Sequence, residues 1–221
     1  MTTLTRKAER TRQLILDTSL ELFARRGYAA ATMRDIAAAA NVSLGLAYRY
    51  FESKESLVLA IYQQMAEQTD SAVSALSPGS IADRFIATMN ARLSSAKPYR
   101  EAFGALFGAM MTPGTGTEIL GAGAREMRGM SELTFIGLVQ NSTDAVQPTH
   151  MQDFGKLLQA IHFAVIFYWL HDRSENQKAT QELLSLIHGG LPLLRRGMNL
   201  RVISSRIKSL IRILDRVFGA Q

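Results

Sequence analysis

The sequence predicts an all-α protein: a three-helix N-terminal head over residues 1–54 and a larger helical part over 55–221. Three observations carry this. Apolar residues recur at helical spacing, as in Ile15, Leu16, Leu20, Leu22 and Phe23. Capping and breaking residues fall between such stretches rather than inside them. And nowhere do β-branched residues alternate over a strand length between turn signals. The chain has 221 residues, 47% hydrophobic and 20% charged. That is enough apolar side chain for a packed core, and it excludes global disorder.

Taken in order, residues 12–26 form a first helix, with Gly27 where a C′ residue belongs. Thr32 followed three residues later by Asp35 is a looser capping box and opens a short helix over 33–40. Asn41-Val42-Ser43 interrupts it. Asn41 stands where the chain favours φ > 0, which Asn tolerates better than most residues. Ser43 caps a third short helix over 44–50. A long helix runs from 53 to about 76 and stops before Pro78-Gly79. Ser80 and Asp83 open another, and Pro98 precedes one over 99–111. Residues 112–117 read as a loop, 118–140 as a glycine-rich helix and 151–172 as a strongly apolar one. A helix capped within 174–177 is expected to end or kink at Gly189-Gly190 and Pro192. The last runs over 199–218.

Charge is uneven. Lys and Arg number 25 against 19 Asp and Glu, for a net charge of +6. Residues 1–60 carry nine basic against six acidic side chains, 61–194 nine against twelve, and 195–221 seven against one. Basic ends suit a polyanion, although +6 is also an ordinary solubility charge. The absence of Cys excludes a disulfide scaffold, a thiolate zinc site and a thiol nucleophile. No apolar run reaches the roughly 18 residues of a membrane span. The charged first twelve residues do not resemble a signal peptide. A cytoplasmic, soluble protein is expected. An enzyme is not. His150, His162, His171 and His188 form no metal-binding pair, and Gly121-Ala-Gly123 lacks the strand and third glycine of a dinucleotide loop. No metal or cofactor is expected.

Ile36, Ala37, Ala40, Val42 and Ala47 are small apolar residues where two short helices must cross closely, as in a helix-turn-helix. Leu44, Gly45, Tyr48 and Arg49 then mix small, aromatic and basic groups suited to a major groove. The stretch from Leu22 to Val58 closely resembles the DNA-binding head of the TetR family of bacterial transcriptional regulators. The matching residues are Leu22-Phe23, Gly27-Tyr28, Thr32, Ile36-Ala37, Ala40, Val42-Ser43, Gly45, Tyr48, Tyr50-Phe51 and Ser53-Lys54-Glu55. Asn41 departs from the family's usual glycine.

The resemblance implies a homodimer that binds a palindromic operator in double-stranded DNA. It implies phosphate contacts for Thr32, Met33 and Arg34, and a cap and backbone contact for Ser43. Base-edge contacts fall to Leu44, Gly45 and Tyr48, base or phosphate contacts to Arg49 and Tyr50, and a phosphate contact to Lys54. Arg6, Lys7, Arg10 and Arg12 are expected to add contacts from an N-terminal arm. Leu44 can meet only a thymine methyl.

For residues 55–221 the resemblance implies ligand sensing and dimerisation. The apolar run 159–170 and the helix after it resemble the family's dimer-forming pair, with Ile161, Val165, Tyr168, Leu183, Leu184, Ile187 and Leu191 as the seam. Ordinary core is the alternative. Met65, Phe85, Met89, Phe103, Phe107, Met110, Met127 and Phe135 concentrate adaptable Met and Phe, which fits a pocket for a small apolar effector as well as a helical core. The last helix is amphipathic, with Ile203, Ile207, Leu210, Leu214 and Val217 as its apolar stripe. It fits a helix docked on the body or one lying on an anionic surface.

Overall fold

The computed structural model describes residues 6–74, 78–104 and 122–218, which contain helices and no strand. The helices are α1 (Arg6–Arg26), α2 (Met33–Ala39), α3 (Leu44–Tyr50), α4 (Lys54–Ser74), α5 (Ile81–Ala96), α6 (Ala122–Gln140), α7 (Met151–His171), α8 (Lys178–Gly197) and α9 (Arg201–Phe218). The chain divides into two compact units, 1–67 with 95–112 and 68–94 with 113–221. The expected head lies within the first unit, which also takes in α4 as far as Glu67.

Local chemistry sets the turns of unit one. Gly27 has φ +78, and its N–H donates to the Phe23 carbonyl at 3.0 Å. Thr32 and Asp35 form a full reciprocal capping box at the start of α2. Thr32 also holds the Asp35 carboxyl below the usual carboxylate range, through its hydroxyl first and then its backbone N–H. Asn41 has φ 53. Its N–H donates to Ala38 O at 3.1 Å and that of Val42 to Ala37 O at 2.9 Å, which closes α2 with a Schellman motif. Ile15, Leu16, Ile36, Ala37, Ala47 and Leu57 are sealed in the core. Ala47 carries no side chain beyond Cβ, which lets α3 lie close against α2.

Unit two is built around α6 and α7. Gly155 lies so close to α6 that an added Cβ would fall 2.6 Å from Ile136 Cγ1 and 3.0 Å from the Ile136 backbone. Gly155→Ala is therefore expected to cost about 1–3 kcal/mol, because backbone cannot move aside. Urea unfolding of the variant checks this. Phe85, Met89, Phe135, Phe154 and Trp169 fill the interior. The α7–α8 turn is organised by Asp172, which accepts from the N–H and hydroxyl of both Ser174 and Thr180. Those bonds, the Ser174 and Thr180 hydroxyls foremost, hold its carboxyl far below the usual range.

Two expectations are corrected here. The helix α8 does not end at Gly189-Gly190 or Pro192 but continues to Gly197. The carbonyl that Pro192 leaves without a donor is that of His188, an exposed residue, so the missing bond falls on the solvent-facing side of the helix. The buried stripe of α9 is Ser204, Ile207 and Ile211, whereas Ile203, Leu210 and Ile213 are exposed. This helix docks on α7, with Lys156 3.0 Å from Asp215 and Lys208 3.9 Å from Asp153.

Candidate nucleic-acid interface

The first unit presents α3 on a fixed base. Ser43 is the N-cap, and its Oγ accepts from the Leu46 N–H at 3.2 Å. Ala47 anchors the inner side of the helix. The outer side carries Gly45, Tyr48 and Arg49, all exposed, with Leu44 and Tyr50 half-buried. Tyr48 is 47% exposed, a large ring left in water. Thr32 and Arg34 at the start of α2 are also exposed. So are Arg6, Lys7 and Arg10 on α1, whereas Arg12 lies over the Phe51 ring at 5.1 Å.

Two residues assigned to phosphate have other positions. Met33 is buried, 7% exposed, and its side chain belongs to the core. Lys54 is turned inward. Its Nζ donates to Tyr28 O at 2.7 Å and Ala31 O at 2.9 Å, and lies 4.1 Å from the Tyr28 ring centroid. Next to it the Tyr28 hydroxyl donates to Glu55 Oε1 at 2.9 Å. Burial, then that bond and the Glu55 charge, push the Tyr28 hydroxyl well above its ordinary value. Burial opposes the charge on Glu55. Hydrogen bonds from its own backbone N–H, Ser53 and Tyr28 outweigh burial and keep the carboxyl below its usual range. Lys54, Tyr28 and Glu55 thus tie the α1–α2 turn to the start of α4. The sequence offers one signal of this clip, the adjacent charges of Lys54-Glu55, but not their partners.

The expected pocket residues do not share one unit. Met65 and Phe103 belong to unit one, where Phe103 packs edge-on to Tyr62 at 5.8 Å. Phe85, Met89 and Phe135 belong to unit two, each fully buried, with Phe85 and Phe135 5.7 Å apart. Phe107, Met110 and the Met127 side chain lie outside the described residues. Of the expected seam, Val165, Leu184 and Leu191 are already buried without a second copy. Ile161, Leu183 and Ile187 are half-buried, and Tyr168 is exposed. Unit two also holds a charged cluster that no sequence signal announces. Arg92 meets Asp70 through Nε at 3.1 Å and Nη2 at 2.6 and 2.7 Å, and its Nη1 reaches His162 Nε2 at 3.0 Å. Among the described residues, no three His, Asp or Glu are grouped to hold a metal.

The family pattern described as bacterial regulatory proteins, tetR family, matches residues 15–61. Its span covers α2, α3, the caps between them and the start of α4. The head belongs to the tetR family. The curated relatives that match are named HTH-type transcriptional regulators or repressors, and each shares a short stretch with this chain. The uncharacterized HTH-type transcriptional regulator YuxN of Bacillus subtilis is 39% identical over 57 residues, 26% of this chain and 20% of YuxN. The HTH-type transcriptional repressor KstR2 of Rhodococcus jostii is 52% identical over 44 residues, 20% of this chain and 22% of KstR2. The chain spans only 17% to 37% of the length of the curated relatives it matches. The fold likeness extends further. A tetR-family regulator from Streptomyces coelicolor superposes with a TM-score of 0.59 at 20% identity, over 92% of this chain and 87% of that one. Thermus thermophilus FadR, a TetR-family repressor in complex with lauroyl-CoA, does so with 0.62 at 18% identity, over 80% and 92%. The tetR-like fold, helix-turn-helix head and helical remainder, thus covers nearly the whole chain. No described helix is long and apolar enough to cross a membrane.

Proposed function

We propose that the chain is a cytoplasmic, ligand-responsive transcriptional regulator, in the sense of a repressor, that binds a palindromic DNA operator as a homodimer and leaves it when a small, largely apolar effector binds. The observation that carries the reading is the outer face of α3. Gly45, Tyr48 and Arg49 stand in water on a helix capped by Ser43 and anchored through Ala47, the presentation a major-groove helix needs. Successive major grooves on one side of DNA lie about 34–36 Å apart, so a palindrome requires two such helices held at that spacing.

The α7–α8 pair supports the second copy. Phe167 and Tyr168 on α7 are each 43% exposed, and Leu186 and Leu193 on α8 are 73% and 66% exposed. These side chains, rather than Val165, Leu184 or Leu191, are the ones a partner would cover. Leu193→Arg is expected to yield folded monomers by sedimentation, with helicity intact by circular dichroism. A dimer that survives would move the seam elsewhere.

The reading itself is tested by fluorescence anisotropy on the DNA flanking the protein's coding region, over a salt series. Nanomolar, palindrome-dependent binding supports it. Weak binding that ignores sequence and falls steeply with salt at every site overturns it. The cap provides a second check. Ser43→Ala removes one acceptor for an N-terminal amide and is expected to cost about 1 kcal/mol of stability. Thermal unfolding reads that loss.

A further inference from the structure

We infer that Arg84 in unit two is an anion-recognition residue: its guanidinium takes the oxyanion of a small ligand, a carboxylate or a phosphate. Arg84, Thr88 and Arg92 stand four residues apart on one face of α5, and all three are buried, at 8%, 1% and 6% exposure. The two arginines show opposite states. Arg92 has a bidentate carboxylate in Asp70, an imidazole acceptor in His162 and the Phe135 ring at 5.3 Å. Arg84 has none of these. Its Nε is buried without a hydrogen-bond partner, and among the described residues its guanidinium makes no ion pair.

The acids at that end of α5 are already engaged. Asp83 is bound by the Ser80 hydroxyl at 2.6 Å and His188 Nε2 at 2.9 Å. Asp144 accepts from the Ile81 N–H at 2.7 Å and pairs with Arg195 at 3.1 Å. A guanidinium whose Nε is cut off from water with no partner is costly, and folded proteins seldom keep such a group unless it is paired or coordinates something. An arginine fork matches the two oxygens of a carboxylate or phosphate. Ile81, three residues back on the same face of α5, is apolar, which favours an anion carried on an apolar body.

The inference deepens the regulator reading by adding an anionic group to its effector, and rests on that reading only for the ligand's regulatory role. The test is thermal unfolding of the full chain with four probes: sodium octanoate, octyl phosphate, neutral 1-octanol and inorganic phosphate. A ligand at about 100 times its Kd is expected to raise Tm by about 5–10 °C. A rise with octanoate or octyl phosphate but not octanol supports an organic acid, and a rise with inorganic phosphate alone supports a free anion as the source. Arg84→Met is expected to abolish the rise while lifting Tm in plain buffer, since it removes an uncompensated charge. Arg84→Lys, which keeps the charge without the fork, is expected to retain a smaller rise. The proposal is overturned if no anion shifts Tm, if octanol acts as octanoate does, or if Arg84→Met lowers Tm in buffer or keeps the shift. DNA binding measured on the same samples separates the two readings. Its absence beside an intact anion response defeats the regulator reading alone, and the reverse defeats this one alone.

Discussion

Asp70→Ala is expected to destabilise the protein by about 3–5 kcal/mol, a large share of the roughly 5–15 kcal/mol that holds a domain folded. The reason is the guanidinium left behind. Arg92 has a side chain only 5% exposed, and Asp70 answers it with both oxygens. Thr134 donates to the same carboxylate at 2.8 Å, so that bond is lost as well. Most of the loss is the cost of an unanswered charge rather than the worth of the pair. The double variant Asp70→Ala with Arg92→Met should therefore recover most of it, and chemical unfolding of the three variants measures the cycle. His162 makes the same cluster sensitive to acid. Burial first, and the Arg92 charge second, hold its imidazole well below the ordinary value. It stays neutral in the folded state, with Nε2 accepting from Arg92. The unfolded chain binds a proton as pH falls below about 6.5, whereas the folded one does not. Stability from this group is thus complete above pH 6.5 and declines below it. His162→Asn should flatten that part of the pH profile.

What was legible in the sequence was local. Gly27, Thr32, Asn41 and Ser43 each act within five residues of their own position, so a single stretch of chain contains both the group and its partner. The all-helical fold was legible for the same reason, since caps and periodicity are short-range signals. Side-chain destinations were not. Lys54 stands at a motif position that the resemblance assigns to phosphate, yet the carbonyls it meets lie 23 and 26 residues earlier. Met33 has the spacing of a helix N-terminus facing DNA, but a seven-residue helix pointing one face outward must point Met33 inward with Ile36 and Ala37. The Asp70–Arg92–His162 cluster joins positions 22 and 70 residues apart. No spacing rule reaches that far. Composition is also silent on the Met and Phe stripe, because an apolar residue count does not say which of two units each residue enters.

Tyr48→Ala is expected to remove operator discrimination, and Lys54→Met is expected to leave it intact. Each base pair read wrongly costs about 1–3 kcal/mol in a specific site. In a homodimer the substitution acts at both half-sites, so about 2–6 kcal/mol is at stake, or about thirty-fold to about 10⁴-fold in affinity for the palindrome over random DNA. Binding to random DNA should hardly change, because an uncharged ring contributes nothing to counterion release. Arg34→Ala and Arg49→Ala are the contrast. Both guanidinium groups are exposed, so removing either should weaken binding to all sequences. The salt slope should flatten by about 0.9 for each phosphate left without its cation, and twice that in a dimer. Lys54 follows neither pattern. Its ammonium is held by Tyr28 O and Ala31 O, so Lys54→Met should lower the stability of the head while the salt slope of the folded protein stays unchanged. A flattened slope in folded Lys54→Met would return this lysine to the phosphate backbone. An unchanged slope with a lowered unfolding midpoint establishes that this motif position serves here to hold α3's platform together.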